Sequence, residues 1–456
     1  MWHVRIITAL GTLWILDGLE VTAVGSLSGI LQSKDGLSLS DEAVAAAATT
    51  YLAGAVVGAL LFGHLTDRLG RRRLFLVTLA TYSVATIGTG LSVSAAMFFV
   101  CRFFTGLGIG GEYAAINSAV DELIPGKVRG TVDLLVNATF WVGATLGSLA
   151  ALYLLGGHAV SPRTGWRLAF AVGGTLGLGV LVLRLAVPES PRWLMLRGKE
   201  RESERIVGEI ESQVSRQHGP LPAVEGQKLK ITPRDHTPWA DIFRNMLGEN
   251  RKRSILGFIL MVGQAFFFNA VFFTFALVTK KFFNVPDGKL PLQLLPFAVA
   301  SFLGPLVLGP LFDRVGRKPM ITAAYGGAGV LLAATAILFG AGALGLHGLI
   351  ACFATIFFVA SSAASAAYLT VSEIFPLEIR AFAIAIFYAL GTLIGGVGAP
   401  ALFGSLIESG SKSQLMMGYL LGAVLMLAGA IAEFYIGVEA AGKSLESVSK
   451  PLQSSA

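Results

Sequence analysis

Ionisable side chains stand inside segments that are otherwise apolar. The stretch LDGLEVTAVG (Leu16–Gly25) carries Asp17 and Glu20, and CRFFTGLGIGGEY (Cys101–Tyr113) carries Arg102 with Glu112 ten residues on. Asp17 and Glu20 are three apart, so a helix presents them on one face. Charged groups cost free energy at membrane depth, and each one there is a functional hypothesis. Desolvation makes a buried carboxyl hold its proton more tightly, and a nearby arginine loosens it. If Arg102 approaches and leaves Glu20 as the protein moves, the acid alternately releases and takes a proton. That exchange is enough to couple solute movement to a proton gradient. A static ion pair is the alternative these residues leave open.

A second set of charges sits at chain reversals. GHLTDRLGRRRL (Gly63–Leu74) and GPLFDRVGRKPM (Gly309–Met320) repeat glycine, leucine, aspartate, arginine, glycine and arginine at one spacing. ELIPGKVR (Glu122–Arg129) and EIFPLEIR (Glu373–Arg380) share a further E-x-x-P-x-x-x-R pattern. Gly63 and Gly309 are expected to admit a close helix neighbour, and Gly70 and Gly316 a tight reversal. Asp67 and Asp313 end helices, where the dipole disfavours an acid unless arginines or another helix's N-terminus lie near. Helices that begin at Arg129 and Arg380 supply such starts. Asp67, Arg71, Glu122 and Arg129, with Asp313, Arg317, Glu373 and Arg380, are therefore expected to form a latch between two halves. Orientation-setting charge alone is the bland reading, but acids contribute little to that.

The elements that must position these residues follow from composition. Of 456 residues 54% are hydrophobic and 14% charged, with a mean hydropathy of +0.70. That balance indicates an integral membrane protein. Runs long enough to cross a bilayer lie near 5–33, 42–66, 72–93, 95–121, 129–157, 165–187, 254–284, 290–313, 319–342, 346–372, 380–408 and 413–437. The expected fold is all-α, with twelve transmembrane helices in two pseudo-symmetric six-helix bundles. The bundles cover 1–187 and 254–456, the second with a short tail, joined by a central loop over 188–253. Roughly 26 Lys and Arg fall in the ends and even-numbered loops against about 7 elsewhere, which places both termini and the central loop in the cytoplasm. Within that loop 198–217 reads as a charged helix and 219–238 as a Pro-rich spacer. Two landmarks recurring in order indicate one duplicated unit. Parallel repeats of this kind belong to transporters that rock two halves around a midplane site.

The paired turns resemble the loop signature of the major facilitator superfamily. PESPRWL (Pro188–Leu194) and SEIFPLEIR resemble its sugar porter branch and relatives, and the match runs from the first helix to the twelfth. The resemblance implies that Gly18-Leu19-Glu20 stands for the proton-coupling motif of helix 1. Arg102 with Gly106, Gly108 and Gly110 stands for its helix 4 partner. Asp17-Gly-Leu-Glu20 and GGEY look closer to metabolite–proton symporters, which opens the substrate to aromatic or organic acids besides sugars. It further implies substrate-binding amides at Gln264 and Asn269, flanked by Phe272 and Phe273, another at Asn137, and Tyr368 in place of a usual tryptophan. Amides serve a neutral polar solute and aromatic rings supply flat walls. No Lys or Arg lies well within helices 8 to 12, which disfavours a strong anion site there. Arg102 has no counterpart in the second half, where Phe353 stands, so coupling is expected in the first half only.

Other signals are refused. GVEAAGKS (Gly437–Ser444) has P-loop spacing, but no strand-to-helix context surrounds it. GLGIGG lies within a membrane helix, where glycines serve packing. Cys101 and Cys352 read as packing residues, the histidines lack metal-ligand spacing, and no nucleophile–base pair suggests an enzyme. No cofactor, metal or nucleic acid is expected. The expectation is a monomeric multi-pass protein of a plasma membrane, of bacterial inner-membrane type, whose partners are the lipid bilayer, protons and a small-molecule substrate carried by symport. Uncoupled facilitation, proton antiport and a transporter-like nutrient receptor are the alternatives.

Overall fold

The computed structural model describes residues 2–155, 161–184, 188–221, 230–231, 237–272, 274–286, 290–452 and 454–455. Twelve long helices follow in order: α1 Trp2–Ser26, α2 Asp41–Leu69, α3 Arg71–Gly90, α4 Ala95–Leu123, α5 Arg129–Leu155 and α6 Pro162–Arg184. The second half has α7 Arg251–Phe272, α8 Leu290–Arg314, α9 Arg317–Gly340, α10 Leu346–Ile374, α11 Arg380–Glu408 and α12 Lys412–Ile436. Nine of them meet a bilayer's demand for length and apolarity among the described residues. The others, α1, α3 and α4, are comparably long and carry polar groups along their length. Those polar groups include the carboxylates and arginines of interest.

Serine caps set several helix starts. Ser40 accepts from the Ala43 N–H at 3.2 Å, and Ser94 from the Met97 N–H at 3.3 Å, satisfying donors that a helix start leaves free. Gly70 (φ 93°) and Gly316 (φ 121°) turn the chain from α2 into α3 and from α8 into α9. Both occupy the left-handed region that favours glycine.

Helix packing follows the duplicated sequence. In the first half α1 packs on α5, α2 on α4 and α3 on α6; in the second α7 packs on α11, α8 on α10 and α9 on α12. Across the molecule α2 meets α11 and α5 meets α8, so each interface between halves is the symmetry mate of the other. Glycines bring α2 and α4 to contact. A Cβ at Gly106 or Gly110 would fall 2.0 Å from the Tyr51 and Ala55 carbonyl oxygens, and one at Gly54 or Gly58 within 2.1 Å of those of Phe103 and Leu107. Such contact favours tight packing where no water drives helices together. At Gly63 a Cβ would lie 2.4 Å from the Ala385 Cβ on α11, whereas at Gly309 the nearest atom is 3.6 Å away. The close approach expected at both positions is needed only at Gly63.

Three spans differ from the runs read in the sequence. The first run divides into α1 and a short helix, Ser28–Gln32. The run at 254–284 divides into α7 and a second segment, Phe275–Phe283, beside Thr274, whose hydroxyl bonds back to the Ala270 carbonyl and competes with regular helix. Asn284 ends that segment in the left-handed conformation. Within α11 the glycine-rich Thr392–Gly398 widens to a π-helix, where Gly395 approaches the Phe266 backbone of α7 too closely for a side chain. Residues 156–157 and 185–187, at the ends of two expected spans, lie outside the described residues.

The central stretch forms the helices Pro191–Leu196, Glu200–His218 and Trp239–Arg244. Much of the 219–238 connector lies outside the described residues, though Lys230–Ile231 pairs antiparallel with Ser454–Ser455 near the chain end.

Candidate functional site

Within the first bundle, Arg102 of α4 donates from Nη2 to Glu20 Oε1 of α1 at 2.5 Å. Both residues are almost wholly buried, Glu20 at 2% and Arg102 at 1% exposure. The guanidinium lies over the rings of Tyr51 (4.9 Å to the centroid) and Phe170 (5.4 Å). Its surroundings are thus aromatic on α2 and α6 and acidic on α1. A buried pair of this kind is costly to break, because the partner left behind is charged and dry.

Asp17, nearly one turn before Glu20, accepts from the Tyr113 hydroxyl at 2.7 Å. The Tyr113 ring stacks on Tyr388 of α11 (centroids 4.4 Å, 25° apart) and on Tyr368 of α10 (5.9 Å, 29°). Trp14 meets Tyr113 edge-on at 4.6 Å and Tyr368 at 6.5 Å. A carboxylate of one half is thereby joined to the other half through one tyrosine. Asp17, Glu112 and Tyr113 line a small cavity with Leu13, Trp14 and Ile116. A second aromatic contact joins the halves where Trp141 of α5 meets Phe268 (5.5 Å) and Phe272 (5.2 Å) of α7.

The amides divide. Gln264 and Tyr368 are both buried, and the Gln264 amide donates to the Met261 sulfur of its own helix at 4.0 Å. Asn269 is half-buried and donates to the Ala265 carbonyl of its own helix at 2.7 Å. Asn137 donates to Asn117 Oδ1 (3.1 Å), to the Asp133 carbonyl (2.9 Å) and to Asp133 Oδ2 (3.2 Å). It belongs to a polar cluster between α4 and α5. Phe273 lies outside the described residues.

At the face bearing both termini, two matching networks lock the halves together. Glu122 of α4 receives Arg71 of its own half and Arg380 of the other, the latter at 3.4 Å. Glu373 of α10 receives Arg317 of its own half at 3.0 Å and Arg129 of the other at 3.3 Å. Each acid bridges a reversal arginine and a helix-start arginine across the interface. The aspartates hold the helix starts themselves. Asp67 accepts from the Phe382 N–H of α11 at 3.0 Å. Asp313 accepts from the N–H groups of Gly130 (3.0 Å) and Thr131 (2.7 Å) and from the Thr131 hydroxyl (2.5 Å), and pairs with Arg317 at 2.8 Å. A helix N-terminus is a natural seat for a carboxylate.

A layer outside these networks repeats the symmetry. Glu189 of PESPRWL accepts from the N–H groups of Arg71 (2.9 Å) and Arg72 (3.3 Å). Glu439 accepts from those of Arg317 (2.8 Å) and Lys318 (3.2 Å). The stretch with P-loop spacing thus supplies a helix cap for α9. Arg192 donates to Glu446 at 2.6 Å and to the Glu122 carbonyl at 2.9 Å, tying the C-terminal segment to the first half. Burial raises the Glu446 carboxyl pKa, but the charge and hydrogen bond of Arg192 outweigh it and hold the group below its ordinary value.

Sequence reasoning passed over Tyr388, Trp14 and Trp141, because an aromatic residue in an apolar run carries no mark of the half it will face. It also passed over Asp121 and Asp133, although an aspartate four residues before Asn137 was a readable polar stripe.

Comparison with known proteins agrees with this architecture. The sequence profile of the family described as sugar (and other) transporter matches residues 6–451. A niacin transporter of Acinetobacter baylyi is 25% identical over 98% of this chain and 96% of its own length. A putative metabolite transport protein of Escherichia coli is 30% identical over 94% and 90%. Among solved structures, the proton:xylose symporter bound to 6-bromo-6-deoxy-D-glucose superposes with a TM-score of 0.79 at 20% identity, covering 98% of both chains. The chain therefore belongs to the sugar (and other) transporter family, and is a multi-pass membrane transporter of the major facilitator fold rather than an enzyme.

Proposed function

We propose that the protein is a proton-coupled symporter that moves a small organic solute by alternating access. The observation that carries this reading is the buried Glu20–Arg102 pair, with Asp17 joined through Tyr113 to the opposite half. Rocking of the halves unstacks Tyr113 from Tyr388, admits water to α1 and α4, and lets the two carboxyls exchange protons with one side and then the other. Asp17, Glu20 and Arg102 carry the coupling. The E-R networks with Asp67 and Asp313 are the barrier on the terminus-bearing face. The proton symport of the xylose transporter named above supports the same reading.

The solute site lies between the halves, with Gln264, Asn269, Tyr368 and Asn137 as its candidate polar contacts. Asp17 and Glu112 line the cavity beside it, which disfavours an anion while they are ionised. A neutral hydroxylated, sugar-like solute fits this lining first, and an aromatic or organic acid fits once the carboxyls are protonated. The excess of Lys and Arg at the terminus-bearing face supports a cytoplasmic side for that face, and we place the protein as a monomer in a plasma membrane of the bacterial inner-membrane type. Uptake of a labelled panel of sugars and aromatic and organic acids into proteoliposomes, with and without an inward proton gradient, tests the proposal. Accumulation above equilibrium of one solute only with the gradient supports it, and identical uptake under both conditions overturns it.

A further inference from the structure

The gate contains more acid than its arginines neutralise. Arg71, Arg129, Arg317 and Arg380 are committed to Glu122, Glu373 and Asp313, and Asp67 to the start of α11. Asp121 of α4 and Asp133 of α5 are both 0% exposed, and neither is in an ion pair among the described residues. Both Asp121 carboxyl oxygens, Asp133 Oδ1, Asn137 Oδ1 and Ser118 Oγ are buried without a hydrogen-bond partner. Ser372, the hydroxyl facing Asp121 across the interface, donates instead to the Leu369 carbonyl at 2.9 Å.

Position deepens the deficit. Asp121 lies in the last turn of α4, against the negative end of that helix. The first N–H groups of α5, which would suit Asp133, are taken by Asp313. The groups that face the pair are Glu122 on α4, Arg129 on α5, Arg317 at the start of α9, Glu373 on α10 and Arg380 on α11. Two neighbouring carboxylates in a dry space cannot both remain charged without a counter-ion.

We propose that Asp121 and Asp133 form a second proton-binding site, occupied while the gate on the terminus-bearing face is closed and emptied when the halves part. Because Ser372, Glu373 and Arg380 belong to the second half, opening the gate replaces them with water and the pair ionises. The closed state then binds more protons than the open one, so alkaline pH on that face favours opening. The site acts on the gate and is separate from coupling through Glu20, so it does not depend on the symport reading.

Spin labels test this on Val128→Cys and Val315→Cys, exposed positions on opposite halves, in a Cys101→Ala, Cys352→Ala background. For one proton, the open-to-closed ratio read from the distance distribution should rise with pH by up to about tenfold per unit. Asp121→Asn with Asp133→Asn should lower that slope by the pair's one proton, and Glu20→Gln should retain the pair's share of it. A distribution independent of pH in the otherwise native protein overturns the proposal, and this arm stands even if the double variant does not fold. An undiminished slope in the folded double variant, its complete loss in Glu20→Gln, or its replacement by a sodium dependence at fixed pH would overturn it equally. Uphill uptake surviving Glu20→Gln would sink the coupling reading and leave this readout untouched.

Discussion

Tyr113 binds Asp17 through its hydroxyl at 2.7 Å while its ring lies 4.4 Å from that of Tyr388 in the opposite half. One side chain therefore touches both a buried carboxyl of its own half and a ring of the opposite bundle. Stacked aromatic pairs contribute about 0.5–1.5 kcal/mol beyond their area, enough to bias a two-state equilibrium by several-fold without locking it.

That relationship predicts an asymmetry between two substitutions. Tyr388→Phe keeps the stack and should change solute uptake less than twofold. Tyr388→Ala removes it and should raise the open fraction at the terminus-bearing face by about three- to tenfold. Distance measurements across that face check the second, and transport rates the first.

The two aspartates at the gate should differ in weight. Asp313 accepts three hydrogen bonds from the start of α5 and pairs with Arg317, while Asp67 accepts chiefly from the start of α11. Hydrogen bonds to a charged group contribute about 1.5–3 kcal/mol. Asp313→Asn should therefore destabilise the closed state by about 2–3 kcal/mol and Asp67→Asn by roughly 1 kcal/mol less. Cross-linking of cysteines placed across the α5–α8 and α2–α11 contacts reads both.

Much of this arrangement was legible beforehand. The repeated turns gave the duplication, and their acids and arginines marked the helix starts that they meet. Polar residues inside apolar runs stood out against the background, which is why Asp17, Glu20 and Arg102 could be named. Their partners were harder to see. Tyr388 and Trp141 matter through the packing of one half on the other, which no local pattern encodes, and Asp121 beside Glu122 looked like an ordinary charged helix end. The break after Phe272 and the π segment in α11 depend on a threonine back-bond and on helix contacts that periodicity does not report.

The C-terminal segment should respond to acid. The Glu446 carboxyl, partly buried against Arg192, is held below its ordinary pKa of 4.5. A lowered folded-state pKa contributes stability that is fully present above about 4.5 and is lost as the pH falls through the folded value. Docking of the tail should thus weaken as the pH falls below about 5, and Glu446→Gln should weaken it at neutral pH under otherwise the same conditions. Proteolytic cleavage at Lys443 and Lys450 followed against pH checks the window. A tail whose docking is unchanged as the pH falls from about 5 to about 3 would contradict the Arg192 contact.

Removing one member of the inner ion pair should cost more than neutralising the other. Arg102→Ala leaves Glu20 without a partner in a dry site, with an expected loss of about 3–5 kcal/mol in stability. Thermal unfolding in detergent should show it clearly. Glu20→Gln keeps a hydrogen-bond acceptor for the guanidinium and should therefore cost less than Arg102→Ala.

Glu20→Gln is also the decisive variant for transport. Purified protein in vesicles loaded with a pH-sensitive dye reports proton entry when solute is added outside. The native protein should acidify the lumen in step with uptake, while the variant should exchange solute across the membrane without moving protons. If Glu20→Gln carries protons with solute as the native protein does, the buried pair is structural and the coupling assigned to it is wrong.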